Sequence, residues 1–499
     1  MAEKVYLGVD LGAESGRVMA GRWDGSHMRL EELHRFPNGG VWVGDSLKWD
    51  VVRLWAEIQQ GLGEAGRRFG SAVRSVGVDT WGVDTVLLSQ SDELLGLPFH
   101  YRDPRTRGVM GRVLERIPRA EIFGQTGLQF MEINTLFQMV SLREQHPELL
   151  DAARSLLMMP DFFNWCLSGV RSAEFTNATT TQFFDPRKRS WATDLLSQLD
   201  IPASILPPAV DPGAVLGPLR SGLASRVGLG GVRVVAPATH DTGSAVAAVP
   251  TDSTGKANWA YISSGTWSLM GVEVPNAILS SKAMEFDLTN EGGIQGTYRL
   301  LKNIMGLWLV QQCRRSFEHR GRAHTYEQLV SLASKATPLR SLVNPDHPSF
   351  LAPEDMASAI QERCRATGEP VPEDEGALVR CALESLALKY ASTLQGLEEV
   401  TGTPVEVIHV VGGGSRNDLL NQFTADACQR PVLAGPVEAT VLGNLLVQAQ
   451  ADGAVGDLVQ LRSVVRQSGA IRRFDPSGGA AWSEAASRFA RVSSSSFRS

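Results

Sequence analysis

The chain has 499 residues, more than one hydrophobic core of ordinary size accommodates, so two domains with a ligand site between them are expected. Its 48 basic and 54 acidic residues leave a formal charge of −6, which argues against a general binder of nucleic acid or anionic membranes but leaves room for a local basic site for a phosphorylated ligand. A hydrophobic content of 43%, with 11 Trp and 18 Phe, supplies apolar surface for two cores and excludes extended disorder away from the ends.

The first element is VYLGVDLGAESGRVMAGRW, two β-like runs joined by a small-residue turn with Gly12, Ala13, Glu14, Ser15, Gly16 and Arg17. Such a turn lets backbone N–H groups approach an anion, and it is equally an ordinary tight hairpin. Asp10 favours the first reading, since a carboxylate beside the loop is placed to hold hydrated Mg²⁺ next to bound phosphates. DVVRLWAEIQQGLGEAGRRF then has helical apolar spacing, and VRSVGVDTWGVDTVLLSQ reads as strand, turn and strand. Residues 201–232 are rich in Pro and Gly, and a loop-dominated passage is expected.

VRVVAPATHDTGSAVAAV follows as strand, polar turn and helix start, with His240, Asp241 and Thr242 in the turn. Asp241 suits two roles, a base that accepts a proton from a substrate hydroxyl during phosphoryl transfer and a cap for the next helix. WAYISSGTWSLMGVEV, with Thr266 in its turn, echoes the opening hairpin and suggests two domains of related fold. A long helix over LVRCALESLALKYASTLQGLEEVTG, a strand over VEVIHVVGG and a helix over RNDLLNQFTADACQ come next. Gly412, Gly413 and Gly414 would let the backbone lie against a planar base. The tail VSSSSFRS reads as disordered.

Candidate polyol contacts cluster at Trp81, Gly82 and Asp84, at Arg102 and Asp103, and at Asn303, where indoles would pack on a sugar face and polar groups would take its hydroxyls, and each is equally read as a satisfied structural polar group. The patterns GxxxxGK[ST], HExxH and GxSxG are absent, so an ATP user here would not be a P-loop protein. Five widely spaced cysteines without a CxxC pair read as structural thiols, and only Cys364 and Cys381 flank a segment short enough to close a loop. No apolar run approaches 18 residues and the N-terminus lacks a signal-peptide pattern, so a cytoplasmic protein is expected.

Asp10 with its loop, THDTGSA, the second hairpin and the glycine turn occur in the order of the sugar-kinase, heat-shock-chaperone and actin superfamily. The strings VDLGAESGRV, WGVDTVLL, GLPFHYRDPRT, INTLFQ, MPDFFNWCLSG, FTNATTTQFFD, SSGTWSLMG, NEGG, LKNIMGLWLVQ, HVVGGGSRNDLLNQFTADA and GPVEATVLGN together resemble the FGGY carbohydrate kinase family, from Val5 to about Phe474. The family's usual signature in the second half is poorly matched, and NATTTQ, LKNIMGLW and GPVEA point to one branch of it.

The resemblance implies an α/β fold of two actin-like (ribonuclease H-like) domains around a catalytic cleft. It places an N-terminal domain at 1–245, a nucleotide-binding domain at 246–475 and an extension at 476–499. The implied reaction is ATP-dependent phosphorylation of L-rhamnulose at its C1 hydroxyl, with Mg²⁺, in L-rhamnose catabolism. Ala13, Glu14, Ser15, Gly16, Arg17, Thr266, Gln311 and Gly413 match ATP positions, and Gly82, His240, Asp241, Thr242 and Asn303 match sugar positions. Asp241 matches the proton acceptor, and Asp10 the magnesium-facing carboxylate of the wider superfamily. The expected partners are a small ketose and ATP, without nucleic acid or membrane, for a monomer or small homo-oligomer. The alternatives are a kinase for another ketose such as L-fuculose and an actin-like ATPase switch that transfers no phosphate.

Overall fold

A computed structural model describes residues 3–494 and divides into two compact units. Among the described residues, the first comprises 3–255, 273–300 and 439–469, and the second 256–272, 301–438 and 470–494. Neither is one continuous stretch of chain.

The first unit is built on a six-stranded sheet. Its strands are β1 (Lys4–Leu11), β2 (Ser15–Trp23), β3 (Met28–Pro37), β4 (Val73–Thr80), β5 (Ala214–Pro218) and β6 (Arg233–Ala236), in the order β5-β6-β4-β1-β2-β3. β1 pairs antiparallel with β2 and parallel with β4, and β4 pairs parallel with β6. β1 is apolar almost throughout because both of its faces are covered, as parallel strands generally require. Val5, Leu7, Val9 and Leu11 share a core with Leu54, Ile58 and Leu62 of the helix Val51–Phe69. That helix starts on the Asp50 carboxylate, which accepts from Arg53 N, and ends at Gly70, whose φ of 48° suits glycine.

The opposite face is covered by the helix Ala439–Ala451, which comes from far along the chain. Leu445 lies against Gly8 and Gly21, and Gln448 Nε2 donates to Leu7 O at 2.9 Å. Just beyond the helix, Asp452 accepts from Lys4 Nζ at 2.9 Å and Tyr6 Oη at 3.1 Å and pairs with Arg233. A Cβ on Gly443 would lie 1.8 Å from the carbonyl oxygen of Ser244 in the helix Asp241–Ala247. Gly443→Ala is therefore expected to cost about 1–3 kcal/mol by forcing these helices apart, read as a lowered midpoint in chemical denaturation. An unchanged midpoint would show that the contact yields freely.

Six strands of a seven-stranded sheet, each lying wholly or partly in the second unit, are β7 (Trp259–Ser264), β8 (Trp267–Val274), β9 (Tyr298–Met305), β10 (Val407–Val411), β11 (Val432–Ala434) and β12 (Arg472–Phe474), in the order β9-β8-β7-β10-β11-β12. β7 pairs antiparallel with β8 and parallel with β10, repeating the arrangement of β1, β2 and β4. The echo between the two hairpins thus extends to their sheets. The long helix spans Glu375–Thr401, capped by Asp374, whose carboxylate accepts from Ala377 N.

Two local expectations are corrected, and the reading of the cysteines as structural thiols holds. Residues 201–232 are not only loop, since they hold β5 and the helix Ser221–Val227. Within the expected disordered tail, Val492–Ser494 end the helix Ala480–Ser494, which buries Trp482, Ala485, Phe489 and Val492; residues 495–499 lie outside the described residues. All five cysteines are free, including the buried neighbours Cys364 and Cys381, whose thiols hydrogen bond and push the Cys381 pKa up. Among the described residues, no helix is long and apolar enough to cross a membrane.

Candidate active site

In the first unit the parallel strands β1, β4 and β6 end side by side, and the residues after them form one site. Ligands of open α/β sheets bind at this carboxyl end. Asp10 is the penultimate residue of β1, in register with Arg17 on β2 and with Asp79 on β4. Arg17 Nη2 lies 2.5 Å from Asp10 Oδ2, so the expected phosphate-facing cation is also the partner of the expected metal-facing carboxylate. The turn is shorter than the sequence suggests, because Ser15, Gly16 and Arg17 already belong to β2. Asn38 pins it, donating from Nδ2 to Gly12 O at 2.7 Å and from its backbone N to Glu14 O at 3.0 Å. Gly16 has no room for a side chain, since a Cβ there would lie 2.2 Å from the Phe36 ring.

Thr80, which ends β4, donates its N–H to Thr239 O at 2.9 Å and bridges to His240. Gly82 and the His240–Thr242 turn are thereby held on neighbouring strand ends. Asp241 opens the helix Asp241–Ala247 as its first residue, with His240 at the cap position, so the capping role expected for Asp241 is corrected by one residue. Its Oδ1 accepts from Thr242 N at 2.5 Å, and a third of its side chain stays exposed. Burial raises the Asp241 pKa, with Asp10 adding to the rise and His240 opposing it.

Sequence reasoning missed four charged groups that support this site. Asp79 is fully buried, accepts from Asn444 Nδ2 at 2.5 Å through Oδ2, and has no partner for Oδ1. Burial, and then the nearby Asp10, push its pKa well up. Glu174 is buried and accepts four hydrogen bonds, from the N–H and hydroxyl of both Thr176 and Thr239, which fixes the backbone just before His240. Glu291 and Arg299 form the third support. Glu291 Oε2 lies 3.0 Å from both His240 Nδ1 and Arg299 Nη2, while His240 Nε2 lies 3.4 Å from Asp241 Oδ1. Burial alone would raise Glu291, but Arg299 and His240 hold its carboxyl below the usual range. Only NEGG, the string containing Glu291, gave any signal of this in the sequence.

Two of the candidate polyol contacts, Asp84 and Asp103, follow the structural alternative. Asp84 is fully buried and accepts from the indoles of Trp49 at 2.6 Å and Trp81 at 2.9 Å and from Gln138 Nε2 at 3.0 Å. Desolvation lifts its pKa to about 6 despite these bonds. Asp103 accepts from the backbone N–H groups of Leu47 and Arg105. Both carboxylates are buried and hold loops through these bonds.

In the second unit three expected nucleotide positions lie around one hairpin. Thr266 is in the β7–β8 turn, and its Oγ1 accepts from Gln311 Nε2 at 3.3 Å. Trp308 N donates to Thr266 O at 3.1 Å, which fixes the start of the helix carrying Gln311. The glycine turn lies against the same strand, as a Cβ on Gly414 would sit 2.0 Å from Ser264 Oγ. Gly412 has a φ of 83°, and nothing approaches the Cβ position of Gly413, leaving that backbone open. Asn303 is half-buried on β9 of this unit.

Two family models match the chain. Residues 5–248 match the N-terminal domain of the FGGY family of carbohydrate kinases, and residues 260–451 match its C-terminal domain. The chain belongs to the FGGY family of carbohydrate kinases. As an FGGY kinase it is a phosphotransferase that uses ATP as phosphate donor. It is 44% identical over 480 residues to a rhamnulokinase from Bacteroides thetaiotaomicron, covering 96% of this chain and 97% of that one. It is also 41% identical to a rhamnulokinase from Halalkalibacterium halodurans, over 94% of this chain and 98% of that one. Solved FGGY-kinase folds are similar at low identity. Xylulose kinase from Lactobacillus acidophilus superposes with a TM-score of 0.81 at 15% identity, covering 98% and 97% of the two chains. Plasmodium falciparum glycerol kinase with ADP gives 0.79 at 15% identity over 99% of each. The expected fold of two actin-like α/β domains accords with these similarities.

Proposed function

We propose that this FGGY kinase transfers the γ-phosphoryl group of ATP to the C1 hydroxyl of L-rhamnulose, giving L-rhamnulose 1-phosphate and ADP, in the cytoplasmic breakdown of L-rhamnose. The observation that carries this reading is the 44% identity, over nearly the whole chain, to a rhamnulokinase. The site chemistry supports it. A carboxylate with a raised pKa and an open edge, set beside a histidine, suits general-base work at a hydroxyl.

Asp241 takes the C1 proton as O1 forms its bond to the γ-phosphorus and the bond from that phosphorus to the bridging oxygen breaks, releasing ADP. Gly82, His240, Thr242 and Asn303 hold the sugar. Ala13 to Arg17 receive the phosphates, while Thr266, Gln311 and Gly413 take the rest of the nucleotide. Residues 1–245 would supply the sugar, phosphate and base positions, and residues 246–475 the nucleotide positions.

The residues present fit a magnesium ion. Asp10 has the ordinary ligand chemistry for it, and the unpartnered Oδ1 of buried Asp79 lies on the neighbouring strand. Asp10 would hold Mg²⁺, which neutralises charge on the ATP phosphates. Among the described residues, no three His, Cys, Asp or Glu side chains are grouped to hold a metal by themselves, so phosphate oxygens and water would complete the shell.

The test is ADP release with Mg·ATP over L-rhamnulose, L-fuculose, D-xylulose, L-ribulose and glycerol. L-Rhamnulose is expected to give the highest kcat/KM by tenfold or more. A different preferred sugar would overturn the substrate assignment, and ADP release indifferent to every sugar would favour an ATPase switch.

A further inference from the structure

The loop between Trp81 and Asp84 is strained. Asp84 N donates to Gly82 O at 2.9 Å, a bond that skips one residue, and the residue skipped, Val83, has a φ of 68°. This is a γ-turn of the positive-φ kind, rare in any sequence, and a β-branched residue at its centre is an outlier. Such a conformation persists only where its surroundings impose it.

Three side chains do so. Thr180 Oγ1 accepts from Val83 N at 3.1 Å, Thr135 Oγ1 donates to Val83 O at 2.7 Å, and Gln138 Nε2 donates to the same carbonyl at 3.2 Å. Thr180 also lies directly under Gly82, where an added Cβ would be 2.9 Å from its hydroxyl. Asn134 Nδ2 donates to Gln182 Oε1 at 2.8 Å, tying the two supporting segments together. These residues belong to INTLFQ and NATTTQ. Both converge on one peptide unit.

We propose that Thr180, with Thr135 and Gln138, is a positioning residue for sugar recognition, holding Val83 at positive φ so that the half-buried Gly82 presents its backbone to the substrate. This rests on the assignment of Gly82 to the sugar site. A rotation of φ at Val83 to its ordinary negative range would turn the Gly82–Val83 peptide plane, and the polar edge of the loop would face elsewhere. The clamp acts through backbone orientation and touches no reacting atom.

The test uses the full chain and steady-state kinetics with L-rhamnulose. Thr180→Val is expected to raise KM for the sugar about tenfold, with kcat and KM for ATP within threefold of the parent. Thr180→Ser, which keeps the hydroxyl, should match the parent. The deciding variant is Thr180→Val combined with Val83→Gly. Glycine adopts positive φ without a clamp, so the second change should recover most of the lost sugar affinity. A merely structural threonine would give no such rescue. Amide exchange supplies a readout independent of turnover, with faster exchange of the Asp84 N–H expected in Thr180→Val. Unchanged KM and unchanged exchange in that variant, or a double variant no better than Thr180→Val, would overturn the clamp. Failure of the underlying kinase assignment is distinct, since it would appear as absent L-rhamnulose turnover in the parent protein.

Discussion

Asp241→Asn is expected to lower kcat by about 10²–10⁴-fold while leaving KM for ATP within a few fold, because a general base contributes on that scale and the amide keeps the shape of the site. The pH dependence of the parent carries the same information. Burial raises Asp241, Asp10 adds to the rise, and the base works only when ionised. kcat/KM should therefore fall on the acid side through an apparent pKa above the ordinary carboxylate value of about 4. The stability effect has the opposite sign. A folded-state pKa above the unfolded one means that the ionised carboxylate costs stability at neutral pH, so Asp241→Asn should raise the denaturation midpoint at pH 7. The gain should vanish below pH ~4, where the carboxyl is protonated in both states. A more stable and inactive variant is the signature of a group retained for chemistry. Full turnover in Asp241→Asn would remove it from the mechanism.

Arg299→Met is expected to destabilise the protein by about 3–5 kcal/mol, since removing one partner of a buried ion pair strands the other. Arg299 is fully buried, donates from Nε to Gly292 O at 2.8 Å and lies 3.0 Å from Glu291. The native Glu291 has a lowered pKa, so its pairing stabilises the fold above the unfolded carboxylate pKa and is lost as pH falls through the folded value. In Arg299→Met the burial that Arg299 had offset is left dominant, and the deficit should be largest at neutral pH. Adding Glu291→Gln removes the stranded charge and should restore much of the stability, while the sugar KM stays raised because His240 has lost its ionised partner. Equilibrium denaturation at pH 7 checks both variants. A single variant as stable as the parent would show that the pair contributes nothing.

Much of this architecture was legible in the sequence because it is written in local pattern. The run VYLGVDL alternates Val and Leu on one face, the hairpin turns are made of small residues, and the helix expected over 378–402 is found at Glu375–Thr401. The supporting charges were not legible, because burial is a property of distant neighbours. Asp84 and Asp103 look in sequence like ligands for a polyol, and only the indoles and amides gathered around them show that their acceptors are in use. Glu174, Glu291 and Arg299 carry no spacing signal, since each reaches His240 or its flanking strand from a separate segment. Asp79 and Asp10 stand in register on neighbouring strands and are told apart by their partners, Arg17 for Asp10 and, for Asp79, Asn444, which lies 365 residues away along the chain.

The helix Ala439–Ala451 gives the first unit a requirement in biosynthesis. β1 and β4 have emerged by Thr80, yet the face bearing Gly8 and Gly77 stays bare until the polymerising ribosome has passed Ala451. At ordinary elongation rates that interval is roughly 20–75 s, during which Ser75 and Asp79 wait for Gln448 and Asn444, their partners on that helix. The sheet of the first unit therefore gains both of its covers only when nearly the whole chain has been synthesised.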